Sequence, residues 1–209
     1  MNKDELRKQF LQNRLLIPND TLESLSFYIS KNILNSELFV KKIETILLKN
    51  PEEKVKIGLY YPIKNEVDIM QIFNTLEIND YISKFEFFLP VVCKQDMYFA
   101  RFNISQSNLK DSLCNLKTGK FGIKEPCGIN QVANIPDIII VPGIIFTKDK
   151  NRVGYGKGYY DRFFSKNNNI FKIGICFNNF LIKIDKNENL IFNEYDTKMD
   201  LIFTESKIY

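Results

Sequence analysis

Histidine is absent from this 209-residue chain, and so is tryptophan. Without imidazole there is no His general base, no Ser-His or Cys-His nucleophile and no His-ligated zinc. Any catalysis must rest on carboxylates, Lys, Arg, Tyr, backbone amides or a bound metal. Cysteine is scarce: Cys93, Cys114, Cys127 and Cys176 form no CxxC pair and show no metal-ligand spacing. Reduced thiols are the expected state, with Cys176 buried in a strand. Long apolar runs are also missing. The longest, Ile138 to Phe146, is interrupted by Pro142 and Gly143 and falls far short of the ~20 residues that span a bilayer. The start, Met1-Asn2-Lys3-Asp4-Glu5-Leu6-Arg7, has no apolar core of the signal-peptide kind and carries acidic residues. A cytoplasmic protein with no membrane partner is expected. Charge of one sign is not concentrated either. The 29 Lys and Arg stand against 25 Asp and Glu, for a net charge of +4 scattered along the chain. A nucleic-acid binder would gather its cations on one stripe, so no nucleic-acid partner is expected.

What is present is the composition of a globular protein, 44% hydrophobic and 26% charged. With no internal repeat and no long linker, residues 1–209 read as one domain. The opening segment reads as an amphipathic helix capped by Asn2, with Glu5 three residues on and Leu6 and Phe10 on one face. Lys3 and Arg7, four apart, project from one side of it, and Pro18 closes it. Helices are expected over Thr21 to Leu34 and Glu37 to Leu48, then again over Glu66 to Leu76 and from Tyr159. Strands are expected at Val55 to Tyr61, Phe85 to Leu89 (closed by Pro90), Met97 to Phe102, Ile138 to Val141, Phe171 to Phe177 and Leu201 to Phe203. Lys117 to Gly128 reads as a loop. The β-branched run Ile138-Ile139-Ile140-Val141 is of the kind buried on both faces. Short apolar strands alternating with helices predict an α/β fold with a mainly parallel sheet.

The most informative stretch is Arg152-Val153-Gly154-Tyr155-Gly156-Lys157-Gly158-Tyr159-Tyr160-Asp161. Alternating glycines between a strand and a helix start let a ligand approach bare backbone, and successive N–H groups form an anion-binding concavity. Arg152 and Lys157 add two cations, a combination that suits a polyphosphate. It is not a Walker loop, since Gly158 rather than Ser or Thr follows Lys157, nor the GxGxxG pattern, since Tyr stands at 159. Asp161 reads either as a favourable charge in the first helical turn or as a magnesium ligand beside phosphates. Asp200 reads equally as a strand-end residue or as the second carboxylate. Glu66 reads as a helix N-terminal residue behind an Asn65 cap, Tyr61 as a core aromatic and Phe121 as a loop residue packed inward, each with a ligand-binding alternative.

These segments, taken in order, resemble the 5-formyltetrahydrofolate cyclo-ligase family over nearly the whole chain. The resemblance is carried by Lys3-x-x-Leu6-Arg7, by Gly58-Leu59-Tyr60-Tyr61-Pro62 leading to Glu66-Val67-Asp68, and by Leu89-Pro90-Val91-Val92. Gly122-Ile123-x-Glu125-Pro126, Pro136-Asp137 through Pro142-Gly143 to Phe146, the loop from Arg152 to Arg162, and Met199-Asp200 with Thr204-Glu205 complete it. It implies a three-layer αβα domain related to sugar-phosphate isomerases and CoA transferases (the NagB/RpiA scaffold). It implies ATP on the Arg152–Tyr160 loop, reached by Lys3 and Arg7, with Mg2+ on Asp161 and Asp200. It places 5-formyltetrahydrofolate, with or without a polyglutamate tail, against Tyr61, Glu66, Phe121 and the stretch Tyr155 to Tyr159. Arg152 and Lys157 would be catalytic, and a monomer is the expected state. Two residues depart from the pattern: Thr147 where the family commonly has Asp, and Asn151 where it often has Gly. Asn tolerates a left-handed backbone, which would preserve the turn. The readings weighed against a ligase are an ATP-binding regulatory module without turnover and a sugar-phosphate isomerase-like enzyme.

Overall fold

The computed structural model describes residues 2–76, 81–104, 109–127, 135–183 and 192–209. Helix α1 (Lys3–Leu15) begins with a reciprocal cap: the Asn2 side chain accepts from the N–H groups of Asp4 and Glu5, and Glu5 accepts from Asn2 N. It stops at Leu15, and Pro18, extended at φ −60°, leads instead into α2 (Asn19–Leu34). Ser36 caps α3 (Glu37–Lys49). The chain then forms β1 (Val55–Gly58), α4 (Ile72–Leu76), β2 (Phe85–Cys93), β3 (Asp96–Phe102) and α5 (Leu109–Cys114). A short hairpin of β4 (Leu116–Thr118) and β5 (Lys124–Pro126) precedes β6 (Ile138–Val141), β7 (Ile145–Thr147) and β8 (Arg152–Val153). Helix α6 (Tyr159–Lys166), β9 (Phe171–Ile175), β10 (Leu181–Ile182) and β11 (Leu201–Phe203) complete the order.

Six strands form the central sheet in the order β11-β9-β6-β1-β2-β3, parallel except for the antiparallel edge strand β3. All four residues of β6 are buried without exposure, as their β-branched run predicts. Helices cover both faces. Phe99 and Phe102, three apart on β3, point to opposite sides. Phe99 meets Phe163 of α6 at 5.2 Å between ring centres, and Phe102 meets Phe73 of α4 at 6.1 Å. Helix α2 packs on α4, so α2 and α4 lie on the face away from α6. A smaller sheet, β10-β7-β8, stands beside this assembly. Leu6 of α1 packs there with Ile144, Ile145 and Val153, which holds α1 against the glycine loop.

Four expectations need correction. Glu66 does not begin a helix. Lys64 and Asn65 take positive φ (49° and 56°), the chain stays irregular to Asp68, and Asp68 caps a 3-10 turn over Ile69–Gln71 before α4. Pro90 does not end its strand. β2 runs on to Cys93 because its pairing with β1 has ended at Phe88, so the missing proline N–H removes no bond there. Within Lys117 to Gly128 the chain forms the β4–β5 hairpin rather than a plain loop; Gly128 lies outside the described residues. Cys176 is buried, but just past the end of β9.

Candidate active site

From β1 the chain proceeds to β2 on one side of the sheet, whereas β6 leads to β9 on the other. A parallel sheet opens a crevice at the carboxyl ends of its strands where the winding direction switches. Here that crevice lies beyond Gly58 and Val141. It is a cleft of about 410 Å³, lined by Tyr60 and Tyr61 after β1, by Pro142 after β6 and by Pro90 and Val92 at the end of β2. The glycine loop and α1 close it with Lys3, Arg7 and Arg152. An adjoining groove of about 650 Å³ shares Lys3, Arg7, Gly156, Gly158, Asp161 and Asp196 with the cleft, so the loop is a wall common to both.

The loop has the backbone its sequence requires. Gly156 and Gly158 stand at φ 79° and 66°, a region costly for any residue with a Cβ. A Cβ at 156 would also lie 3.3 Å from the Arg7 guanidinium carbon. Gly158 caps α6 without a side-chain acceptor, leaving the first helical N–H groups to a ligand. Arg7 Nε donates to Gly154 O at 2.8 Å and its Nη1 pairs with Asp4. Lys3 pairs with Asp196 at 2.7 Å and Arg152 with Asp161 at 3.2 Å. Arg152 Nε is buried without an acceptor, and the exposed Lys157 has no ion-pair partner among the described residues. Val153 packs in the core under the loop, and Tyr160 lines the cleft with the Arg152 guanidinium 5.2 Å above its ring. In the β7–β8 turn the left-handed residue is Lys150 (φ 66°), not Asn151 as expected. Thr147 Oγ1 accepts instead from Asn151 N and Nδ2, so the two departing residues bind each other.

A buried polar cluster faces the loop. Glu66 (4% exposed) and Arg14 (3%) stand 3.8 Å apart. Glu66 accepts from Ile63 N at 3.0 Å and from Tyr155 OH at 3.1 Å, while Arg14 Nη2 donates to Tyr155 OH at 2.6 Å. Arg14 also donates to Lys64 O and Gly143 O, tying α1 to both sides of the cleft floor. Burial pushes the Glu66 carboxyl above the usual carboxylate range, and the Arg14 charge opposes it only in part. Burial likewise raises the Tyr155 phenol, with the Glu66 charge adding to the rise.

The predicted residues Lys3, Arg7, Tyr61, Glu66, Phe121, Arg152 and Asp161 all line one cleft, as do Gly154 through Tyr160. Phe121 is not packed inward. It is 54% exposed on the β4–β5 hairpin, at φ 61°, with its ring edge-on to Tyr159. Asp200 is not among the lining residues. It precedes β11, where its carboxylate accepts from Lys172 N at 2.6 Å and pairs with Lys172 Nζ. The sequence reading missed Arg14, Asp196 and the cleft-facing place of Glu125. Arg14 lies seven residues beyond Arg7, two helical turns on the same face, so its signal was present in the periodicity.

Among the described residues no helix is long and apolar enough to cross a membrane. The model of the 5-formyltetrahydrofolate cyclo-ligase family matches residues 1–205. The chain is 30% identical over 207 residues to the 5-formyltetrahydrofolate cyclo-ligase of Mycoplasma pneumoniae, covering 98% of this chain and 99% of that one. It is 34% identical over 108 residues to a probable 5-formyltetrahydrofolate cyclo-ligase of Schizosaccharomyces pombe, a match spanning 45% of this chain and 52% of that protein. The solution structure of the 5,10-methenyltetrahydrofolate synthetase of Aquifex aeolicus superposes with a TM-score of 0.71 at 28% identity, covering 99% of this chain and 91% of that one. The loop, the cleft and the full-length match converge: the chain belongs to the 5-formyltetrahydrofolate cyclo-ligase family, a family of enzymes.

Proposed function

We propose that the chain uses ATP and Mg2+ to cyclise 5-formyltetrahydrofolate to 5,10-methenyltetrahydrofolate, releasing ADP and phosphate. The observation that carries this is the glycine loop with its uncapped helix start and four nearby cations, set against a cleft that can take a second substrate. A formamide oxygen is a very poor leaving group, so direct closure by N10 stalls. In the proposed reaction the formyl oxygen attacks the γ-phosphorus and ADP leaves. N10 then bonds to the activated carbon, the C–O bond breaks, phosphate departs and N10 loses its proton. Transfer of this kind needs positioning and countercharge more than covalent catalysis. Arg152 and Lys157 would supply the charge, Lys3 and Arg7 would hold the phosphates, and the loop amides would fix them. Tyr61, Glu66 and Phe121 would position the folate, together with the cleft side of Tyr155 to Tyr159.

The residues present suit a divalent cation, because carboxylates stand beside a phosphate-type loop. Asp161 lines the cleft next to the loop. The second carboxylate is Asp200 by resemblance and Asp196 by its place in the cleft. Magnesium there would neutralise phosphate charge. We further propose that residues 1–209 act as one domain, on a scaffold of the NagB/RpiA kind, as a cytoplasmic monomer. The folate would be accepted with or without a polyglutamate tail. Purified protein with Mg-ATP and 5-formyltetrahydrofolate should generate the near-ultraviolet absorbance of the methenyl product. Omitting ATP or adding a chelator should abolish it. No absorbance in the complete mixture would refute the assignment, and ATP binding without turnover would point to a regulatory module.

A further inference from the structure

Arg162 closes the first turn of α6, where its N–H bonds to Gly158 O, and its side chain lines the groove but not the cleft. It makes no ion pair among the described residues. Its guanidinium donates instead to two backbone carbonyls from different parts of the chain. Nη1 reaches Lys157 O at 3.0 Å, inside the glycine loop. Nε and Nη2 reach Gln95 O at 3.2 and 2.6 Å, in the turn between β2 and β3. A Cβ on Gly158 would stand 2.7 Å from that Nη1, so glycine at 158 leaves room for the bond as well as supplying the positive φ.

The peptide between Lys157 and Gly158 is trans, so its C=O and N–H point in opposite directions. With the oxygen held by Arg162, the Gly158 N–H is turned away from that side chain, and it has no hydrogen-bond partner among the described residues. Lys157 and Gly158 both line the cleft. A glycine on the far side makes rotation of this peptide cheap, and a rotated peptide would aim its carbonyl, rather than its N–H, at an arriving anion. We propose that Arg162 is a positioning residue for phosphoryl transfer, clamping the Lys157 carbonyl so that the Gly158 N–H stays aimed at the ATP phosphates. The β2–β3 turn is the post against which the clamp is braced. This rests on reading the glycine loop as the ATP site. Two other contacts of α6 supply the controls. The Arg162 guanidinium also lies 5.1 Å from the centre of the Tyr159 ring, a route to the folate side. Lys166 pairs with Asp96 at 2.9 Å and docks α6 on the same turn without touching a loop carbonyl.

The test compares initial rates and isotope-labelled glycine amide spectra for wild type, Arg162→Ala, Arg162→Lys and Lys166→Ala. Arg162→Ala should lower kcat about tenfold, the low end for losing a charge-assisted bond at an exposed site, and raise the ATP KM with the folate KM within about twofold. Arg162→Lys should recover part of the loss, because an ammonium reaches one carbonyl but lacks the fork that bridges two. Lys166→Ala, which removes only an exposed pair, should stay within about twofold of wild type. The Gly158 amide signal should shift when ADP binds to wild type, and shift less in Arg162→Ala. A Lys166→Ala enzyme as slow as Arg162→Ala would overturn the proposal, since docking of α6 would then explain both. So would a rise in the folate KM alone, which points to the Tyr159 ring, or an Arg162→Ala enzyme as active as wild type. If no Arg162 variant folds, wild type still decides: a shifted Gly158 signal supports the clamp, and one unmoved while Gly154 or Gly156 responds to ADP overturns it. No response from any loop glycine, together with no turnover, would instead fell the ATP reading, and this proposal with it.

Discussion

Lys157 is the exposed cation of the glycine loop, and among the described residues its ammonium has no ion-pair partner to lose when a phosphate arrives. Removing one charge-stabilising donor from such a site typically costs ~3–4 kcal/mol in the barrier. Lys157→Ala should therefore lower kcat by roughly two to three orders of magnitude in the absorbance assay, with circular dichroism unchanged. Gly156→Ala tests the backbone rather than the charge. At φ 79° an alanine is strained by about 1–2 kcal/mol, and its Cβ presses on Arg7. ATP binding measured by calorimetry should weaken roughly tenfold or more, about what that strain implies. Glu66 allows a test in pH. Its carboxyl titrates above the ordinary value of 4.5 because it is buried, so between the unfolded and folded values the native state holds the extra proton. Wild type then loses stability as pH rises through that window, and a Gln at 66 has no such proton to lose. Denaturant unfolding from pH 4 upward should show the stability difference moving in favour of Glu66→Gln. A difference constant with pH would refute this account. The loop residues were legible because glycine, cation and carboxylate follow one another in sequence. Helical periodicity puts Arg14 on the face of Arg7, but what Arg14 and Asp196 bind was not legible, since their partners Lys64, Gly143, Tyr155 and Lys3 lie far along the chain.

Helix α1 brings Lys3, Arg7 and Arg14 to one site because a buried stripe beginning at Leu6 docks it on the β7–β8 hairpin. Its cap was readable from Asn2 and Glu5, while its exact end was not, because Pro18 serves the following helix. Replacing the cap with Asn2→Ala should cost about 1 kcal/mol of stability. It should raise the KM for ATP more than that for folate, since the first turn holds Lys3 and Arg7. Arg14→Ala is harsher. It leaves Glu66 buried and unpaired, and should destabilise by about 3–5 kcal/mol in urea titrations. The elements that sequence patterns misplaced are those decided by backbone geometry. Positive φ at Lys64 and Asn65 denies Glu66 a helix, and the turn at Phe121 and Gly122 folds an apparent loop into a hairpin. Strands such as β6 were plain from the start, because burial on both faces leaves an unbroken apolar signature.

At the scale of the molecule, the mainly parallel sheet sets where chemistry can occur, and its order could not be read from strand patterns alone. Pairing order depends on contacts between segments far apart in sequence, such as β1 with β6, where Ile57 pairs with Ile138. Once that order is known, the crevice beyond Gly58 and Val141 follows from topology. Asp161→Asn should raise the Mg2+ concentration for half-maximal rate at least tenfold, with the ADP yield per methenyl product unchanged. The same titration on Asp196→Asn and Asp200→Asn identifies the second carboxylate by which of them shifts. The wall shared by the cleft and the neighbouring groove has a kinetic consequence. Two reactants that approach one partition from separate chambers need not wait for each other. Initial velocities measured against either reactant at several fixed levels of the other should give intersecting reciprocal lines. Each should also bind the apoprotein alone, in no compulsory sequence.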